Sequence, residues 1–153
     1  MTDESRMHAA TTVSDADLER ALHAAGLKST RPRLLVLRFL RERGGHHSAD
    51  EITEALGAKD TSLLRGSVYN VLNKLEKRGL ITLADVGPGR ALYESGGPWH
   101  HHFVCRQCEV VLDVPCVVGQ KACLYPELDG AELDEAQVIF RGRCPACAAS
   151  SAR

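Results

Sequence analysis

The sequence predicts an α+β chain built as two unequal parts, a helical N-terminal module ending in a β-hairpin and a smaller α/β unit after it. Three observations carry this. Apolar residues recur at helical spacing in four stretches between Ser14 and Arg78, each with start or stop residues at its ends. Two strand-forming runs then flank Gly87-Pro88-Gly89, the turn chemistry of a hairpin. Beyond Gly96-Gly97-Pro98 the pattern changes to short strands, and two Cys-x-x-Cys pairs bracket most of this second part.

Residues 1–13 are polar and aperiodic, which reads as a tail. Ser14 caps a first helix carrying Leu18, Ala21, Leu22 and Ala25 on one face, and Gly26 ends it. A second helix starts near Thr30 to Pro32, where proline is tolerated, and runs to Arg43 before Gly44-Gly45. Its apolar stripe is Leu35, Val36, Phe39 and Leu40, with Arg31, Arg38 and Arg41 elsewhere. Ser48-Ala49-Asp50-Glu51 fits a capping box opening a third helix, with Ile52, Ala55 and Leu56 inward, and Ala58 to Leu64 reads as a loop.

The fourth helix, Gly66 to Arg78, buries Val68, Val71, Leu72 and Leu75 and presents Asn70, Asn73, Lys74 and Lys77 on the opposite face, with Tyr69 to one side. Gly79 ends it, and Leu80 to Ala84 with Ala91 to Glu94 form the hairpin. Helices followed by a hairpin make a winged helix-turn-helix domain over 14–94, its fourth helix suited to a major groove and Arg90 at the wing tip near phosphate. A solvated polar face is the commoner fate of an Asn/Lys-rich helix surface. The basic second helix and the wing tilt the reading towards double-stranded DNA.

At 153 residues the chain has room for one ordinary domain or two small ones. A charged fraction of 25% and a hydrophobic fraction of 44% are those of a soluble globular protein. No apolar run approaches the roughly 20 residues of a membrane span, so no membrane partner is expected. Met1 to Val13 lacks a basic and apolar leader, which places the protein in the cytoplasm. Thiols stay reduced there, and six cysteines in paired spacings point to metal or redox chemistry before a disulfide framework. Net charge is −1 but uneven: six basic residues face Glu42 alone between Lys28 and Arg43, and seven acids face Lys121 alone between Glu109 and Gln137. Such asymmetry suits one half presented to a polyanion.

Residues 95–99 read as a hinge, 100–147 as the second domain and 148–153 as a tail. Phe103-Val104, Val110 to Val114 and Gln137 to Arg143 are expected strands, with one short helix after Cys116 in the weakly periodic stretch from Pro115 to Glu135. A unit this small is stabilised by a structural metal, by dimerisation, or by both.

Cys105, Cys108, Cys144 and Cys147 form two Cys-x-x-Cys pairs separated by 35 residues. Four soft thiolates suit closed, tetrahedral, structural zinc tying the final strand to the first. His100, His101 and His102 are a different set. In an extended segment His100 and His102 point one way and His101 the other. Two imidazoles with the nearby carboxylates Glu94 and Asp113 suit Fe(II), Mn(II) or Zn(II), although an exposed polar run has the same spacing. Cys116 and Cys123 are either small buried residues or a reversible disulfide.

Four segments then resemble the ferric uptake regulator superfamily of metal-dependent bacterial repressors: Gly26-Leu27-Lys28-x-Thr30-Arg31-Pro32-Arg33, His46-x-Ser48-Ala49-Asp50-Glu51-Ile52, Val68-Tyr69-Asn70-Val71-Leu72 and His100-x-His102-Phe103-Val104-Cys105-x-x-Cys108. Cys116, Cys123 and the closing Gly142-Arg143-Cys144-Pro145-Ala146-Cys147 look most like the actinobacterial, catalase-linked, peroxide-sensing branch. The resemblance implies a homodimer with a winged helix and a small α/β dimerisation domain, and no enzyme. It puts structural Zn(II) on the four cysteines and a regulatory Fe(II) or Mn(II), replaceable by Zn(II) in purified protein, on His46, Glu94, His100, His102 and Asp113. His46 enters through the resemblance alone. Operator contacts are implied at Lys28 and Tyr69, beside Asn70, Asn73, Lys74 and Arg90 from the pattern itself. A further metal site of some members falls on Trp99, His101, Gln120 and Gln137, where only His101 ligates, so it is expected to be absent or crippled. Asp113 stands where peroxide sensors have aspartate and iron sensors tend to have glutamate. The expectation is therefore a peroxide-sensing repressor of oxidative-stress genes such as catalase. An iron-availability repressor and a thiol-based redox repressor acting through Cys116 and Cys123 are the alternatives.

Overall fold

The computed structural model describes residues 12–58, 63–87, 90–119, 123–124, 127–134 and 136–150. The tail readings of 1–11 and 151–153, part of the 58–64 loop and the Pro88-Gly89 turn lie outside them. The chain divides into two compact units, Met1–Gly96 and Gly97–Arg153.

Unit 1 holds helices α1 (Asp15–Ala24), α2 (Arg31–Arg43), α3 (Ala49–Gly57) and α4 (Arg65–Lys77), with strands β1 (His47–Ser48), β2 (Thr82–Asp85) and β3 (Ala91–Glu94). Ser14 caps α1 through its side chain, and Ser48 and Glu51 form a reciprocal capping box on α3. Two helices end in the same device. Gly26 (φ 73°) and Gly79 (φ 69°) take the left-handed turn that lets Leu27 N–H reach Leu22 O and Leu80 N–H reach Leu75 O. That stop delays β2 to Thr82, two residues later than the strand pattern predicts.

Leu18, Leu22, Val36, Leu37, Leu40, Ile52, Val68, Leu72 and Leu75 make one core, and loop residue Leu63 joins it. On α2 the buried residues are Val36, Leu37 and Leu40; Leu35 and Phe39 are only half-buried, so the predicted stripe is rotated towards Leu37. Val13 is not free tail. It packs against this core, and its carbonyl accepts a hydrogen bond from Arg38 Nη1 at 2.8 Å.

The wing sheet has the order β1-β3-β2, all antiparallel. Two-residue β1 is absent from the sequence reading. It pairs His47 with Tyr93 and Ser48 with Leu92.

Unit 2 is a three-stranded sheet in the order β5-β4-β6, formed by β4 (His100–Cys105), β5 (Val111–Pro115) and β6 (Ile139–Gly142), followed by α5 (Pro145–Ser150). β5 is antiparallel and β6 parallel to β4. No helix occurs between β5 and β6 among the described residues, contrary to the expected helix after Cys116. Glycine and proline interrupt that stretch too often for a repeating apolar face. Instead the helix lies at the C-terminal end, where Pro145 in its first turn costs no hydrogen bond and carries helix into residues assigned to a tail.

Candidate metal centres

The four cysteines at 105, 108, 144 and 147 are positioned by the end of β4, the turn after it and the start of α5. Glu109 (φ 61°) makes the left-handed turn that closes the first pair, with Glu109 N–H donating to Cys105 O and Cys105 N–H to Val110 O. Arg106 N–H donates to Gly142 O at 2.7 Å, so the turn is tied to the strand that delivers Cys144. All four sulfurs lie within 4.8 Å of one another, and Cys108 Sγ to Cys144 Sγ is 3.7 Å. Tetrahedral ligands about 2.3 Å from zinc are about 3.8 Å apart. The Cys108–Cys144 spacing therefore matches that of two thiolates on one Zn(II).

Electrostatics within the cluster are unequal. Backbone N–H groups, that of Cys108 first and that of Cys144 next, hold the Cys105 thiol down at about 6, while hydrogen bonds that the Cys147 thiol donates to Cys108 and Cys144 push it up to about 12. Cys105 is thus biased towards the thiolate and Cys147 towards the thiol. A metal must displace protons, so affinity rises with pH.

The mixed nitrogen and oxygen donors fall into one group in each unit. In unit 1 the β1–β3 register carries His46 opposite Glu94, with His46 Nε2 3.3 Å from Glu94 Oε2 and the side chains only 10% and 9% exposed. The signal in the sequence for His46 is this short pairing, invisible to periodicity.

In unit 2, β4 alternates as extended backbone must. His100 and His102 share one face, their rings 4.9 Å apart, and Asp113 of β5 pairs directly with His102. Asp113 Oδ1 is 3.5 Å from His100 Nε2. His100 Nδ1 lies 3.0 Å from Pro98 O, a bond that places the proton on Nδ1 and leaves the Nε2 lone pair for a ligand.

His101 faces the other way and is buried. Its Nε2 is 3.2 Å from Cys123 Sγ, and Cys116 and Cys123 join it in a third cluster with donor atoms within 4.8 Å. The sequence pattern leaves His101 as the lone ligand of a crippled site and offers Cys116 and Cys123 as small buried residues or a reversible disulfide, without joining the three. Burial, then hydrogen bonding to Cys116, raises the Cys123 thiol above its ordinary 9.0.

The polar face of α4 is laid out as its spacing dictates. Tyr69, Asn70, Asn73 and Lys74 are exposed, as is Lys28 beyond α1. Arg65 stacks over the Tyr69 ring at 5.6 Å and pairs with Asp50 at 2.8 Å, so it orients the phenol. Arg90 is half-buried, its N–H donating to Gly87 O in the wing turn. Arg38 is occupied inside unit 1 by Val13 O, Asp15 and Glu42, which removes it from the basic surface that the sequence suggested.

Residues 24–121 match the sequence profile of the Ferric uptake regulator family. The chain is 39% identical over 136 residues to the Transcriptional regulator FurA of Mycobacterium tuberculosis, covering 88% of this chain and 92% of that protein. It is 37% identical over 126 residues to Ferric uptake regulation protein 1 of Mycolicibacterium fortuitum, covering 81% and 78%. Among solved structures it is similar to the ferric uptake regulator of Pseudomonas aeruginosa with manganese, with a TM-score of 0.66 and 28% identity over 84% of this chain and 98% of that one. The ferric uptake regulator of Francisella tularensis with iron gives a TM-score of 0.64 and 26% identity, covering 80% and 96%. With the winged helix in unit 1 and the α/β fold in unit 2, these matches establish that the chain belongs to the ferric uptake regulator family and is a metal-dependent transcriptional regulator, not an enzyme.

Proposed function

We propose that the protein is a homodimeric repressor whose grip on a double-stranded operator depends on one regulatory Fe(II) or Mn(II) held by His46, Glu94, His100, His102 and Asp113, and whose signal is peroxide, with oxidative-stress genes such as catalase as its targets. The observation that carries this reading is the division of the donors. His46 and Glu94 stand side by side in unit 1, His100, His102 and Asp113 in unit 2, and only Ser95 to Trp99 separate Glu94 from His100. So short a connection spans at most about 20 Å. Three imidazoles and two carboxylates suit a borderline divalent cation. A metal drawing on both units selects one arrangement of the winged helix, and losing it releases that arrangement.

Zn(II) on Cys105, Cys108, Cys144 and Cys147 supports unit 2. Exposed Leu112, Val117, Val118 and Phe140 supply apolar surface for a second copy. DNA is met by α4 through Tyr69, Asn70, Asn73 and Lys74, with Lys28 near the minor groove and Arg90 at phosphate.

Bound Fe(II) would supply one-electron activation of peroxide, with no net change in its own oxidation state. The chain's part is to hold an imidazole C–H of His46 or His100 beside the metal, so that the C–H and H2O2 become C–OH and water and the ring loses its fitness as a ligand. The experiment is operator binding by the Fe(II) protein, purified without oxygen, before and after peroxide. Lost binding should accompany one added oxygen atom on a peptide containing His46 or His100; lost binding with both residues unmodified rejects the peroxide reading. The relatives named as ferric uptake regulation proteins favour a second reading, in which scarcity of iron is the signal. Metal titration of operator binding with and without peroxide separates the two.

A further inference from the structure

We propose that His101, Cys116 and Cys123 form a third metal site in unit 2, a soft one-nitrogen, two-sulfur site for Zn(II) whose fourth coordination position faces an apolar cavity. The site is made by topology. His101 sits in β4 with its ring turned to the sheet face opposite His100 and His102, Cys116 follows the last residue of β5, and Cys123 returns beyond the left-handed turn at Gly119 (φ 75°).

Donor geometry fits the cation. The three donor atoms lie within 4.8 Å of one another, and His101 Nε2 to Cys123 Sγ is 3.2 Å. Nitrogen and sulfur on one tetrahedral zinc, at about 2.0 and 2.3 Å from it, are about 3.5 Å apart. The His101–Cys123 separation is within a few tenths of an ångström of that value. Two thiolates and an imidazole favour Zn(II) over Fe(II) or Mn(II), which prefer the harder oxygen-containing set.

The surroundings are those of a built site. His101 is 8% exposed, and Trp99 packs edge-on against its ring with centroids 6.2 Å apart. Its Nδ1 is buried with no hydrogen-bond partner. A buried imidazole is costly unless it is strongly bonded, and a metal–nitrogen bond at Nε2 is such a bond. Beside the triangle lies a cavity of about 370 Å³ with Val114, Val138 and Phe140 among its walls. The walls described there add no fourth ligand from His, Asp or Glu, so the remaining position takes water or a small anion. Three protein ligands with one open position make an exchangeable site, unlike the closed four-cysteine cluster. Binding is an acid–base exchange with no redox change: Zn(II) replaces the thiol protons, which leave to solvent.

The test uses full-length protein carrying its structural zinc. Cobalt(II) is added, so that it reads only positions that zinc leaves open. Of the open mixed sites only this one holds sulfur, so wild type should show a near-ultraviolet thiolate-to-cobalt band that Cys123→Ser and the double variant Cys116→Ser/Cys123→Ser lack. Zinc added after mild chelation should show one fewer bound ion per chain in the double variant, by elemental analysis. His101→Gln, which keeps the side chain's bulk, should weaken binding by about tenfold or more, judged by competition with a chromophoric chelator. Circular dichroism and retention of the structural zinc establish that each variant is folded; if the double variant is not, Cys123→Ser and His101→Gln decide alone. A cobalt band and a zinc count unchanged in the variants overturn the proposal. So does a Cys116–Cys123 disulfide peptide in protein purified without oxygen and then loaded with zinc, because those sulfurs are then spent on each other.

Discussion

His46 lies beside Glu94 just beyond the end of the β1–β3 ladder, Nε2 3.3 Å from Oε2, with both side chains about nine-tenths shielded from water. Core packing has no use for such a pair. A buried carboxylate and imidazole cost free energy unless they share a proton or a cation. The two-residue strand that creates the contact begins immediately after His46 and ends at the cap of α3, so the pair is anchored to a helix start and to the wing together.

From that pair, Glu94→Gln should retain the fold and lose metal control. An amide keeps the shape and removes the charge that offsets a divalent cation. Operator binding, followed by fluorescence anisotropy during Mn(II) titration, should need about 100-fold more metal, given that even supporting residues around a metal are worth 10–100-fold. His46→Ala should behave alike. An unchanged titration in both variants would remove unit 1 from the regulatory site.

Much of this was legible in the chain, and what was not has physical causes. The stripe Val68, Val71, Leu72 and Leu75 could be read because α4 buries one face for about two turns. Strand β1 could not, since two residues have no period, and with it went the position of His46. Buried Leu37 lies outside the predicted stripe because α2 has apolar residues on adjacent faces, and periodicity cannot say which neighbour covers them. The four-cysteine cluster follows from repeated spacing at both ends of unit 2. The His101, Cys116 and Cys123 cluster has no such spacing: its members come from a strand, a strand end and a loop, and only the β4–β5 register brings them together.

Unit 2 should depend on its metal for stability in a way unit 1 does not. Among the described residues its buried apolar side chains are Val104, Cys105 and Cys144, and two of these belong to the four-cysteine cluster. So small a core leaves the metal to hold the sheet. Stripping zinc with a strong chelator, or Cys144→Ser, should abolish amide hydrogen-exchange protection in β4, β5 and β6 while α2 and α4 keep theirs. Persistent protection in β4 would show that the strands stand without metal.

The capping box of α3 should give a pH signature. Ser48 N–H donates to Glu51 Oε2 at 2.7 Å and Glu51 N–H to Ser48 Oγ at 3.2 Å. The Ser48 backbone hydrogen bond is the chief cause holding the Glu51 carboxyl below its ordinary 4.5. Because the folded value is the lower one, the stabilisation is fully present above pH 4.5 and is lost as pH falls through the folded-state value. Ser48→Ala should cost about 1 kcal/mol. Glu51→Gln should cost less, and its deficit against wild type in urea unfolding should be constant above pH 4.5 and shrink below it. A deficit that grows on acidification would contradict the assignment.

Two basic residues, both on helices that the sequence reading turned towards DNA, should separate cleanly. Lys74 is exposed on α4 beside Asn70 and Asn73. Arg38 is spent inside unit 1, donating to Val13 O at 2.8 Å and pairing with Asp15 and Glu42. Lys74→Ala should weaken binding to operator and unrelated duplex alike and lower the slope of log affinity against log salt by about 1, the release of one phosphate contact. Arg38→Ala should leave that slope unchanged and instead lower unfolding stability by about 1 kcal/mol, the net worth of a partly exposed hydrogen-bonded pair. Salt titrations on the two variants with urea melts of each settle the matter: a reduced salt slope in Arg38→Ala would return α2 to the DNA surface, and an unchanged slope in Lys74→Ala would take the face of α4 off it.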